Sequence, residues 1–346
     1  MAKQHHVVCA VTLVCLVAVL ATGCGGSSSG GTSPLVGHGI SDLGTLPGGF
    51  SSQGFGINAS GQVVGYGDIS GGAQHAFLYS SGKMTDLGTL PGGSLSIAYA
   101  INTSGQVVGY SDISGGAQHA FLYSAGTMTD LGTLPGNTSS QAFGINTSGQ
   151  VVGYSYLPGG AQHAFLYSGG TMTDLGTLPG GSLSIAYAIN TSGQVVGYSD
   201  ISGGAQHAFL YSAGTMTDLG TLPGGSSSQA YGINDSGQVV GLSVTSGGAK
   251  HAFLYSAGTM TDLGTLPSGI VSWAYGINNT GQVAGYGTTS TGAQNAFLYT
   301  GGTMSDLGTL SAVPSSIATG INASGQVVGY SAISTGAQHA VIWGTQ

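Results

Sequence analysis

Apolar and polar positions along the chain fall in short blocks that recur in one order. The blocks AYAIN, QVVGYS, HAFLYS and MTDLGTL are rich in Val, Ile, Tyr and Phe and are separated by glycine-bearing turns, a pattern that predicts β-strands and almost no helix. NTSG-type turns join the first two blocks, and Gly61, Gly105, Gly149, Gly193, Gly237, Gly281 and Gly325 supply the positive φ of a tight hairpin there. SAG or SGG joins the last two, with Gly82, Gly126, Gly170, Gly214, Gly258 and Gly302 at the left-handed position of a three-residue hairpin. Two hairpins per unit argue for four-stranded antiparallel sheets, the form of a propeller blade, which a parallel β-helix would not need.

The unit is strictly periodic. The DLG aspartates at Asp42, Asp86, Asp130, Asp174, Asp218, Asp262 and Asp306 are 44 residues apart, and the asparagines from Asn58 to Asn322 keep the same step. Seven copies span residues 42–343, and residues 84–136 are identical to 172–224, the trace of a recent duplication. The chain opens this region with a lone ISDLGTL block and closes it with HAVIW, which lacks its DLG partner. Ile40–Leu46 therefore completes the blade whose other strands run from Ile317 to Trp343, which removes the free sheet edges. The expected fold is an all-β, seven-bladed propeller over residues 40–346, with the AxxIN strand innermost and DLG outermost; an open β solenoid is the alternative architecture.

Ahead of the repeats, Lys3 and an apolar run from Val7 to Leu20 lead to Ala21-Thr22-Gly23-Cys24. This reads as a signal peptide over residues 1–23 ending in a lipobox, with Cys24 as the lipidated residue; ordinary cleavage and secretion is the alternative. Residues 24–39 form a Gly/Ser-rich spacer. Gly25 after the cysteine gives a preference for the outer membrane or cell surface. Cys9 and Cys15 leave with the signal, so the mature chain has neither a disulfide nor a thiolate metal site.

Charge then narrows the partners. The mature chain carries Lys83 and Lys250 against 11 aspartates, 2 − 11 = −9, and no arginine or glutamate. That argues against nucleic acid, whose phosphates need a basic surface, and without arginine there is no bidentate clamp for an anionic substrate.

His75, His119, His163, His207, His251 and His339 recur beside the DLG strand. Paired with Asp86, Asp130, Asp174, Asp218 and Asp262 they read as structural polar pairs within blades. Equivalent residues of a propeller are spread around the ring, so a shared zinc centre is not expected. The NASG, NTSG and NDSG turns offer too few carboxylates for calcium. Ser, His and Asp occur together in nearly every blade, which empties their coexistence of meaning as a triad, and no GxSxG elbow stands out. No cofactor is implied, and the aromatics of the inner and third strands are assigned to packing between blades.

The units AxxINxSGQVVGYS, GAQHAFLYS and MTDLGTLPGG closely resemble the bacterial HAF repeat, an extracellular repeat named for its His-Ala-Phe triplet. The resemblance covers essentially the whole mature chain and implies export and a repeat β fold, but no reaction. Trp343 alone keeps a tryptophan common in that family, where Tyr79, Tyr123, Tyr167, Tyr211, Tyr255 and Tyr299 stand in the other copies, and Asn295 replaces the histidine of copy six.

Where the copies differ carries the functional expectation. Variation concentrates after DLGTLPGG and after QVVGYS, two segments that the strand order puts on one face. A rigid scaffold with one variable face is the arrangement of a binding module. Trp273, Tyr156, Asp68, Asp112 and Asp200 are the candidate ligand-binding residues. The expected protein is a monomeric, non-catalytic module for a glycan or an envelope protein, joined to the membrane only through its lipid; an envelope scaffold or a carbohydrate-active enzyme is the alternative.

Overall fold

The computed structural model describes residues 39–344; the signal segment, Cys24 and most of the spacer lie outside the described residues. Those described build seven four-stranded antiparallel sheets arranged as a β-propeller. In blade 1 strand a is Ser52–Ile57, strand b Val63–Asp68, strand c Gln74–Ser80 and strand d Lys83–Asp86, and the other blades repeat this order. Blade 7 takes strands a to c from Ser316–Ile321, Val327–Ala332 and Gln338–Trp343, and its strand d is Ile40–Asp42 from the start of the described chain. Ile40 pairs with Trp343 and Asp42 with Val341, so the expected closure is observed.

Two local expectations are corrected. MTDLGTL is not one long strand: the outer strand stops at its aspartate, because the following glycine, Gly44 in the first copy, has φ 74, outside the extended region. The rest of the block crosses to the next blade and buries Leu46 and Leu90. The turn between strands c and d holds two residues, not three, and both have positive φ, 52 at Ser81 and 80 at Gly82. That is the twist a two-residue hairpin requires.

Packing happens between blades. Val64, Ala76, Leu87 and Leu90 of the first blade and its outgoing segment meet Ala98, Ile101, Val107 and Phe121 of the second in one buried cluster. The seam has the same form, with Leu43, Leu46, Val328 and Ala340 against Val63 and Phe77. Strands a and b approach so closely that a Cβ on Gly65 would stand 1.8 Å from the Gln53 carbonyl oxygen, which is why this position is glycine in every QVVGYS-type block.

Polar side chains lock the blades together. Buried Ser96 accepts from Ala76 N of the preceding blade at 2.8 Å and donates to Gly88 O at 2.6 Å. At the turn face, Asn58 Nδ2 donates to Asn102 O, and the same bond runs through Asn102, Asn146, Asn190, Asn234 and Asn278 to Asn322, which returns to Asn58 O at 3.1 Å. This closed ring joins all seven blades. Each asparagine also uses its Oδ1 to accept from the backbone of its own turn, as Asn58 does from Ser60 N and Gln62 N.

Candidate functional site

Strand order divides the propeller into two faces. The a–b and c–d turns share one face, where Gln62 reaches Ser80. The b–c loops and the d–a connections share the other, where Ser51 of a connection donates to Asp68 at the end of strand b, 2.7 Å. The two variable segments therefore lie together.

On that face the candidate aspartates serve their own loops. Asp112 Oδ1 accepts from Ser94 N at 2.8 Å and Leu95 N at 2.6 Å, and its Oδ2 from Ser94 Oγ at 3.0 Å. Asp200 repeats this with Ser182 and Leu183. Partial desolvation acts to raise the Asp200 carboxyl, but the bonds from Leu183 and Ser182 outweigh it and hold the group below the usual carboxylate range. The three aspartates thus fasten connection to strand end. Among the described residues no three His, Cys, Asp or Glu side chains gather to hold a metal.

Trp273 and Tyr156 stand beside the loops and are engaged in packing. Tyr156 ends its strand b and lies edge-on to Tyr154, 5.3 Å between centroids. Trp273, on strand a of blade 6, stacks on Tyr231 at 6.3 Å and 10° and meets Tyr286 at 5.7 Å, while Lys250 Nζ lies 5.1 Å over its ring. The frame of the repeat explains the arrangement. At the same two positions of other neighbouring blades, Gln141 donates to Gln118 and Gln229 to Gln206, so Lys250 on Trp273 is a substitute bridge between blades. Strand b carries Tyr66 and Tyr154 where the following blade offers Ile97 and Ile185. Before Trp273 the corresponding residue is Leu242. A smaller residue on one blade is matched by a larger one on the next.

The large apolar side chains most open to solvent are Phe50, 81% exposed, and Ile270, 71% exposed. They hold equivalent places in the connections, with exposed Pro314 between them around the ring; the remaining copies carry Ser94, Thr138, Ser182 and Ser226. An apolar arc thus spans blades 6, 7 and 1, and the aspartates belong to blades 1, 2 and 4, with Asp68 beside Phe50 where the two sets meet.

At the outer rim the histidines meet the DLG aspartates. His75 Nδ1 donates to Asp86 at 2.9 Å, and His119, His163, His207 and His251 donate to Asp130, Asp174, Asp218 and Asp262 at 2.8 Å. His339 completes the set with Asp42, 2.9 Å, across the seam. Asn295 Nδ2 makes the same bond to Asp306 at 2.7 Å, which marks the histidine's role there as that of a hydrogen-bond donor. A second bond to the aspartate comes from the glycine two residues on, as Gly88 N gives Asp86.

At the axis, aromatic residues of the inner strands line a space as well as pack. In every strand a the pairing slips by one residue, as between Gly54 and Gly56, and this bulge turns the intervening side chain toward the axis. Phe55, Tyr99, Phe143, Tyr187, Tyr231 and Tyr275 stand at that position, in successive ring contacts 4.8 to 5.2 Å apart. Thr319 fills the seventh place, with its hydroxyl donated to Gly54 O at 2.8 Å. These residues and seven isoleucines, Ile57 to Ile321, line a central cavity of about 230 Å³. Burial, with neighbouring phenols adding to it, pushes the hydroxyls of Tyr99, Tyr187 and Tyr275 well above their ordinary value. Burial likewise raises Tyr66 and Tyr110 to about 12. The sequence signal for this well was the aromatic column at the inner strand, legible as a column but not as a lining.

No protein-family model matches the chain, and no curated protein matches it. Among solved structures it is similar to a puromycin-hydrolyzing peptidase of Mycobacterium tuberculosis, at 14% identity and a TM-score of 0.53, over 75% of this chain and 44% of that one. It is also similar to the BP39L lectin of Burkholderia pseudomallei, at 12% identity and a TM-score of 0.46, over 83% and 93% of the two chains. TolB of Acinetobacter baumannii matches at 12% and 0.46, over 82% and 64%. The chain spans under half the length of the peptidase. At such identities the likeness is one of fold alone.

Proposed function

We propose that this protein is an exported, lipid-anchored HAF-type repeat protein that acts as a monomeric, non-catalytic binding module for a glycan or an envelope protein. The observation that carries this reading is the separation of the two faces. Departures among the copies gather on the face of the b–c loops and d–a connections, while the turn face is held by an unbroken asparagine ring. Gly39, bonded to Gly344 N at 2.9 Å, leads into the outer strand of blade 7 beside Trp343, whose own partner Val327 begins strand b just after a turn. The outer strand of blade 7 is therefore entered from the turn face, opposite the variable segments, and the protein is placed by this reading at the outer membrane or cell surface. The aspartates, used by their own loops, serve as supports of that face, and Trp273 and Tyr156 shape it from beneath.

A scaffold role is favoured by one observation, the exposed arc of Phe50, Pro314 and Ile270, since apolar tips of this kind suit a protein partner. The reading is tested with full-length protein in its native host. Labelled fatty acid should enter the wild-type chain and not the Cys24→Ser variant, and the purified protein should retain a glycan or an envelope protein from extracts. Absence of label would remove the anchor, and absence of any retained component would remove the binding role.

A further inference from the structure

The ring of aromatic side chains around the axis runs without interruption from Phe55 to Tyr275 and is broken only at Thr319. The backbone does not close this break. A Cβ on Gly56 would stand 3.1 Å from Ala100 Cα, one on Gly232 3.4 Å from Gly276 Cα, and one on Gly276 3.2 Å from Gly320 Cα. On the blade 6 side, blade 7 thus keeps the spacing found elsewhere in the ring, and on the blade 1 side a Cβ on Gly320 would meet Phe55 O at 3.1 Å and a Val328 methyl at 3.2 Å, with Gly56 Cα farther off. Six blades fill that spacing with a phenyl or phenol ring, and blade 7 offers a threonine whose hydroxyl is already spent on Gly54 O. The result is a notch in the aromatic circle at Thr319, between Tyr275 and Phe55, within the lining of the central cavity.

The cavity is lined by neutral groups, the rings from Phe55 to Tyr275, Thr319 and the isoleucines, with further phenols buried behind them. Tyr330, on strand b of blade 7, interacts with Tyr66 on one side and Tyr286 on the other, and Tyr275 interacts with both Tyr286 and Tyr330. Each phenol can donate one hydrogen bond and accept others. No charged side chain lines the cavity, since Lys250 is engaged over Trp273 and Asp68 with Ser51, so the lining offers an anionic ligand no partner. Aromatic flanks with hydroxyls beyond them complement a molecule with apolar C–H faces and a hydroxyl rim. The cavity of about 230 Å³ lies below the several hundred Å³ of pockets for drug-sized molecules, so it suits a single ring.

We propose that the Thr319 notch, between Tyr275 and Phe55, is a binding site for the ring of one neutral hexopyranose, which completes the aromatic circle as its seventh member. This rests on the binding reading above and names its ligand class and place. Thr319 acts as the specificity determinant by being small where its six counterparts are large.

The test exploits the repeat itself. Thr319→Tyr installs the residue that four other blades carry at this position, so the fold accommodates it, and it fills the notch; Thr319→Ser keeps both the space and the bond to Gly54. Full-length wild type and both variants are titrated calorimetrically with glucose, galactose and mannose, and with glucuronate and p-cresol as contrasting probes. Saturable binding of a neutral hexose that weakens about tenfold or more in Thr319→Tyr and stays within about twofold in Thr319→Ser supports the site. Saturation transfer from the aromatic protons to sugar C–H protons in the wild type supports it without any variant. Tighter binding of glucuronate, binding of p-cresol with no hexose, or no hexose binding at all overturns the assignment. Hexose binding that survives Thr319→Tyr but is lost when Phe50 and Ile270 become serine overturns the notch and leaves the binding reading intact.

Discussion

Asn322 Nδ2 donates to the main-chain oxygen of Asn58 across 264 residues of sequence, at 3.1 Å, in the same geometry that Asn58 uses toward Asn102. The bond at the seam is thus indistinguishable from those inside the array. A ring has no ends, and the hydrogen bonds that hold it should be worth the same wherever they are cut.

This gives a direct expectation for substitution. Asn322→Asp keeps the oxygen that accepts from Ser324 N and Gln326 N but removes the donor and sets a carboxylate against a carbonyl. It should destabilise by about 1–3 kcal/mol, and Asn190→Asp, four blades around the ring, should do so by the same amount. Denaturant melts of the two variants check this. An open array would lose stability at Asn190 and little at Asn322.

The match of Leu242 with Trp273 predicts a coupled pair. Leu242→Tyr should overpack against Trp273, and Trp273→Ile should leave a void beside Leu242; each single change should cost about 1–3 kcal/mol. The double variant recreates the Tyr and Ile found together at Tyr66 and Ile97, so it should recover most of that loss. A double-mutant cycle measured by thermal unfolding reads the coupling, and simple additivity would contradict the compensation.

Alkali should unfold the protein through its inner tyrosines. Burial raises Tyr66 and Tyr110 from the ordinary value of 10.0 to about 12, so the folded state holds protons that the unfolded state releases. Their contribution is fully present below pH 10 and is lost as pH rises through about 12. Tyrosinate absorbance should therefore lag behind that of a denatured control between these values and then rise together with loss of sheet signal. Ionisation of all tyrosines at the ordinary value with the fold intact would contradict the buried ring.

Much of this architecture was legible in the sequence because it is written there seven times. The period gave the blades, the mismatched ends gave the closing strand, and the alternation of His and DLG aspartate across one hairpin pointed to rim pairs, while the partner of His339, Asp42 from the opposite end of the chain, was not named until the blades were closed. The asparagine ring was not legible. Asn58 looks like a turn former, which it also is, and the reach of its Nδ2 to the next blade depends on how blades are inclined to one another. Trp273 looked like an open platform because its partners Tyr231 and Lys250 lie 42 and 23 residues before it in sequence and only the packed blades bring them onto its ring. The axial well was hidden for a related reason: the bulge that aims Phe55 inward appears only when strands a and b are paired.

The measurement that tests the central claim most directly compares one substitution set on each face. Phe50→Ser with Ile270→Ser gives the variable face the serine that Ser94, Ser182 and Ser226 already carry there, and Lys83→Thr gives the turn face the threonine of Thr127 and Thr171. Both sets follow the repeat and should leave the melting temperature unchanged. Retention of envelope components by full-length protein is then read for each. Loss with the Phe50 and Ile270 pair and full retention with Lys83→Thr is the predicted result; equal retention by both, or loss confined to Lys83→Thr, would contradict a binding role for the variable face.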